Sequence, residues 1–117
     1  MHHLCSLILS RAYGLPIDVV DRFLDKFPDR YYYSRDGVAL FLRLSDENFK
    51  KLVDGEFDIC DGRVLHELLK DEGENIHVFS LVSKGVSSIR RLVRCVRYKS
   101  LSWYTEDLSR LVVFRRR

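Results

Sequence analysis

Residues 75–104 read NIHVFSLVSKGVSSIRRLVRCVRYKSLSWY, and this stretch decides the fold. Ile76, Val78, Phe79, Leu81 and Val82 make residues 75–83 a strand with few charges and apolar side chains on both faces, the pattern of a central strand. A short polar loop follows, Ser83-Lys84-Gly85-Val86-Ser87. Ile89, Leu92, Val93 and Val96 then fall on one helical stripe while Arg90, Arg91, Arg94 and Arg97 fall mostly on the other, predicting a helix from residue 87 or 88 to 98 with its arginines outward. Residues 99–104 form the next strand, parallel to the first, because a strand-helix-strand unit returns in the same direction.

Upstream, residues 3–13 read as a helix stopped by Gly14, and Pro16 opens a second helix to about residue 27, where Pro28 ends the run. Residues 31–44 carry an Asp36-Gly37 turn between two runs of strand-forming residues, the signature of an antiparallel hairpin. Tyr31, Tyr32 and Tyr33 alternate across its first strand, so at least one faces solvent or a ligand groove. Ser45 caps a helix to residue 54, with Gly55 after its end. A further helix spans residues 61–72, closed by Gly73. After a turn at residues 105–109, residues 111–114 form a last strand. The expected class is α+β (α/β-like): a single-layer mixed sheet with an antiparallel hairpin, a strand-helix-strand parallel unit and helices packed on the sheet, in one domain over residues 1–117.

Composition agrees with a globular chain: apolar residues make up 46% and charged residues 32% of 117. No apolar run approaches the roughly 20 residues that cross a bilayer, so no membrane partner is expected. The apolar start, residues 4–9, lacks the basic flank of a signal peptide and is followed by Arg11, which favours a buried helix. Cys5, Cys60 and Cys95 are odd in number and widely spaced, with no CxxC pair. Neither a metal site nor a disulfide framework is indicated; each cysteine reads as a small buried hydrophobe, and a cytoplasmic location is expected. The net charge of +3 conceals an asymmetry: residues 1–82 carry ten basic against fifteen acidic side chains, and residues 83–117 carry ten against two. The basic third suits phosphates, nucleic acid or an acidic protein, contacted through Arg90, Arg91, Arg94 and Arg97.

A polar loop feeding a helix N-terminus leaves backbone N–H groups directed outward, the geometry that holds phosphate or pyrophosphate. The order of elements around that loop resembles the GCN5-related N-acetyltransferase fold, and also the toxin-activating lysine acyltransferases. The loop signature of the family is Arg or Gln, two residues, Gly, one residue, then Gly or Ala; Ser83-Lys84-Gly85-Val86-Ser87-Ser88 keeps one glycine and has serines beyond it.

The resemblance implies a small acyl-CoA-dependent N-acyltransferase-like protein, active or inactive, taking acetyl-CoA or another acyl-CoA and an amine substrate. It places the cofactor on Leu81, Val82, Ser83, Lys84, Gly85, Val86, Ser87, Ser88 and Ile89. The alternative is a non-enzymatic protein that binds nucleic acid or an acidic protein through the basic C-terminal helix and tail. Acyl transfer to an amine needs a base and a donor to the oxyanion or thiolate. Catalytic residues are not fixed by motif; His77 and Tyr104 are the candidates, with His66, Glu67 and Ser80 behind them. His77 shares a strand face with Phe79 and Leu81, where a lone histidine is more often packed than catalytic. Trp103 reads as core or pocket lining.

Overall fold

The computed structural model describes residues 3–34, 37–83, 94, 96–105 and 107–115. It is an α+β fold with four helices and a five-stranded mixed sheet among the described residues: α1 (His3–Tyr13), α2 (Ile17–Lys26), β1 (Tyr31–Ser34), β2 (Gly37–Leu44), α3 (Asp46–Val53), α4 (Gly62–Leu68), β3 (Asn75–Ser83), β4 (Ser100–Tyr104) and β5 (Leu111–Arg115). The strands lie in chain order, β1-β2-β3-β4-β5. β1 and β2 pair antiparallel, β3 and β4 parallel, β4 and β5 antiparallel. The expected fold class is the observed one. No described helix is long and apolar enough to cross a membrane.

The residues group into two compact units: Met1–Leu40 with Ser80–Cys95, and Phe41–Phe79 with Val96–Arg117. In the first, α1 and α2 form the expected helical hairpin. Gly14, at φ +64°, takes the left-handed conformation that ends α1, and Leu15 N–H reaches back to Ser10 C=O at 3.1 Å. The Ser6 hydroxyl donates to the Asp21 carboxylate, joining the two helices. Cys5, Leu9, Val20, Leu24, Val38, Ala39 and Leu40 are its buried apolar residues among those described. Burial pushes the Cys5 thiol up to about 11, so it behaves as the hydrophobe the sequence implies. Tyr33 is the exposed member of the tyrosine run.

The second unit is built on the end of β2. Its buried apolar residues among those described are Phe41, Leu42 and Leu44 of β2, Phe49 and Leu52 of α3, Leu68 of α4, and Leu69, Ile76, Val78, Tyr98 and Leu101. Ser45 caps α3 by accepting from Asn48 N–H at 3.2 Å, and Gly55 at φ +76° closes it while Glu56 N–H reaches Lys51 C=O at 2.9 Å. Ser45→Ala is expected to lose about 1 kcal/mol of stability in urea denaturation, and an unchanged midpoint would contradict the cap's role.

Two stretches that the sequence pattern assigns to the ends of helices are not helical. The helix expected over residues 61–72 stops at Leu68. Lys70 and Asp71 N–H groups turn onto Glu67 and Leu68 carbonyls, and the Asp71 carboxylate accepts from Ser45 N–H at 2.7 Å and Asn48 Nδ2 at 2.9 Å. The chain is thus drawn off the helix axis to serve the start of α3. Gly73 is no helix cap: its N–H donates to Arg43 C=O at 2.9 Å, and a Cβ there would lie 2.0 Å from Leu44 O. Similarly, Val96, Arg97 and Tyr98 are not helical, although the predicted helix ran to residue 98. Tyr98 is buried, and Lys99 N–H is held by Glu74 C=O at 2.7 Å, which fixes the approach to β4.

A polar ladder and cavity as candidate functional site

The first four residues of β3 pair in parallel register with β4, Asn75 with Ser100 through Val78 with Trp103. Alternate side chains of a strand share a face. Asn75 and His77 therefore stand beside Ser100 and Ser102, and all four are buried. Ile76, Val78 and Leu101 occupy the other face. The first half of β3 is thus polar on one side, where the sequence reading expected apolar side chains on both. The signal was present as Asn-Ile-His-Val aligned with Ser-Leu-Ser-Trp, two segments of matching alternation.

Each polar member has a partner across the pair. Ser100 Oγ donates to Asn75 Oδ1 at 2.7 Å, while Asn75 Nδ2 donates to Leu44 C=O at 3.1 Å and to Asp46 Oδ1 at 2.9 Å. Lys99 Nζ lies 2.8 Å from Asp46 Oδ2; this ammonium, then the Asn75 amide, holds the Asp46 carboxyl below the usual carboxylate range. Asn75 thus ties together the end of β2, the start of α3 and β4. Asn75→Ala breaks three hydrogen bonds and leaves two buried partners unpaired, an expected loss of about 2 kcal/mol. Chemical denaturation measures it, and a loss under 0.5 kcal/mol, roughly the effect of an ordinary surface substitution, would contradict the role.

Further along the ladder, His77 Nδ1 lies 2.9 Å from Ser102 Oγ, which itself lies 3.5 Å from Ile76 C=O. With the serine O–H directed to that carbonyl, Nδ1 carries the proton and Nε2 carries the lone pair. Nε2 is buried and has no hydrogen-bond partner among the described residues. Removal from water lowers the His77 pKa to about 4, so the imidazole is neutral at pH 7. Its ring meets that of Tyr104 edge to face, centroids 5.5 Å apart at 80°.

His77 and Tyr104, the two catalytic candidates, border one cavity of about 450 Å³. Its apolar wall comes from Phe57, Ile59, Leu65, Val78 and Phe79. Asp58, Cys60 and Leu108 complete it, and all three are exposed, so the cavity reaches the surface. Cys60 was expected to be buried; instead it sits in the turn before α4, its N–H held by the Asp58 carboxylate at 3.0 Å. Sequence reasoning missed the 57–60 segment, although two apolar residues in a loop between helices are a signal for lining. Leu108, at φ +59°, occupies a left-handed conformation unusual for leucine, in a turn where the Thr105 and Ser109 hydroxyls hold the Asp107 carboxyl down to about 2.

The other candidates lie apart from this arrangement. His66 and Glu67 are exposed on α4, with Glu67 3.1 Å from Lys70 Nζ. Ser80 Oγ bonds the Tyr13 hydroxyl. Of the expected cofactor residues, Leu81 is exposed, Val82 is half-buried and Ser83 ends β3; Lys84, Gly85, Val86, Ser87, Ser88 and Ile89 lie outside the described residues. Arg94 and Arg97 are exposed, and Arg90 and Arg91 lie outside the described residues, as does Cys95. Among the described residues, no three His, Cys, Asp or Glu side chains group as metal ligands. In comparisons with known proteins, no family model, no curated protein and no solved structure matches the chain.

Proposed function

We propose that this chain is a small acyl-CoA-binding domain of N-acyltransferase type. The observation that carries this reading is the parallel β3–β4 pair: its register runs from Asn75 with Ser100 to Val78 with Trp103, and β3 continues five residues further, to Ser83. Backbone groups of Leu81, Val82 and Ser83 are assigned to the pantetheine arm, and the amides of residues 85–89 to the pyrophosphate. In acyl transfer the amine nitrogen attacks the thioester carbonyl, a C–N bond forms, the C–S bond breaks, and the proton lost by the amine ends on the departing thiolate. Isothermal titration calorimetry with acetyl-CoA and with longer acyl-CoA tests the reading. Saturable binding in the micromolar range is expected, and no heat at high micromolar ligand would overturn it.

The exposure of Arg94 and Arg97 favours a second reading, in which the basic segment contacts nucleic acid or an acidic protein. That reading requires binding of DNA or RNA that weakens steeply as salt rises. A fluorescence polarisation titration separates the two, because the acyltransferase reading expects no nucleic-acid binding at low salt.

A further inference from the structure

We infer that the cavity beside His77 is a binding site for a small, uncharged, largely apolar molecule bearing a single hydrogen-bond donor, of the indole or naphthol type. The inference does not rest on acyl transfer, since it concerns a ligand held by the second unit with or without an acyl donor.

Size sets the first limit. A cavity of about 150 Å³ holds a benzene ring, and this one, at about 450 Å³, has room for two fused rings. Its wall of Phe57, Ile59, Leu65, Val78 and Phe79 offers aromatic and aliphatic surface to such rings. Charge sets the second limit. The wall would strip water from an ion; among the described lining residues the buried polar group is an imidazole held neutral, and the one carboxylate, Asp58, is exposed at the rim, so an uncharged ligand is favoured.

The polarity of the contact follows from the ladder. Ser102 Oγ lies against Nδ1, and with the serine O–H assigned to Ile76 C=O, Nε2 is the acceptor, buried and without a donor among the described residues. An unpaired buried nitrogen is costly, and a ligand N–H or O–H relieves that cost. His77 is fully covered, and the half-buried Tyr104 ring has its centroid 5.5 Å from that of the imidazole, so contact with Nε2 requires a side-chain movement at the cavity wall.

The test uses the full chain, with indole and 1-methylindole as matched probes and calorimetry as the readout. Indole is expected to bind roughly tenfold more tightly than 1-methylindole, which lacks the donor. His77→Phe should erase that difference, and His77→Gln, which keeps an acceptor, should restore part of it. Leu65→Trp fills the cavity and should abolish binding of both probes while leaving His77 in place. On the wild-type chain, the ¹⁵N resonance of His77 Nε2 should shift upfield with indole and not with 1-methylindole, a readout that stands even where His77→Phe fails to fold. Equal affinity for the two probes, an unmoved Nε2 resonance under saturating indole, or no binding up to the solubility of indole would overturn the inference. Acyl-CoA calorimetry on the same preparation reports separately on the acyltransferase reading.

Discussion

Replacing Gly73 with alanine is expected to destabilise the fold by about 4 kcal/mol or more, the largest single effect of any substitution considered. A Cβ at this position would stand 2.0 Å from Leu44 O, 2.1 Å from Leu44 C and 2.3 Å from Ser45 N. All three are backbone atoms, so no rotamer change makes room. Relief requires the 69–74 segment to lift away from the end of β2. Lifting breaks the Gly73 N–H bond to Arg43 C=O and pulls Asp71 from Ser45 and Asn48, whose amides it holds. The cost is thus a packing clash joined to the loss of three hydrogen bonds. Urea denaturation of Gly73→Ala against wild type measures it, and a loss below 1 kcal/mol would show that the close approach is not a constraint.

Acidification from pH 7 to pH 4 is expected to remove about 3 kcal/mol of stability through His77 alone. The folded-state pKa, about 4, lies below the ordinary value of 6.5. Above pH 6.5 the imidazole is neutral in both the folded and the unfolded chain, so it contributes no slope. Between pH 6.5 and 4 the unfolded chain takes up a proton that the buried imidazole refuses, and stability falls as pH falls. Below pH 4 both states are protonated and the slope from this group ends. His77→Leu removes the titration while carboxylates such as Asp46 and Asp107 act equally in both proteins. The wild-type loss between pH 7 and 4 should exceed the loss in His77→Leu by about 3 kcal/mol; parallel pH profiles would sink the claim.

These two residues also show how far local sequence reaches. The hairpin, the caps of α1 and α3 and the parallel strand pair were legible because each is written within a few residues: Asp36-Gly37, Gly14, Ser45 with Gly55, and two short strand-forming runs. In sequence Gly73 reads as a helix stop because the pattern of residues 61–72 is helical by itself. What ends α4 early is the pull of Ser45, Asn48 and Arg43, more than twenty positions away, as with the Asp71 carboxylate and Ser45 amide at a separation of 26. The candidate site was half visible. His77 and Tyr104 stand out in the sequence as chemistry-bearing groups, whereas the lining at Phe57, Ile59 and Leu108 depends on how turns fold over the sheet. Parallel register, the step that makes Ser102 the partner of His77, was recoverable from the matched alternation of β3 and β4.

The Asn75 junction also sets an order of events in folding. β1 with β2, and β4 with β5, are joined by short turns and close quickly. The Asn75 bonds to Leu44 and Ser100 span separations of 31 and 25 residues, so both loops must close before the ladder forms. The polar ladder is therefore expected to assemble after the hairpins and to limit the rate at which the second unit reaches its native state. Slow steps in refolding should respond to Asn75 far more than to Ser45.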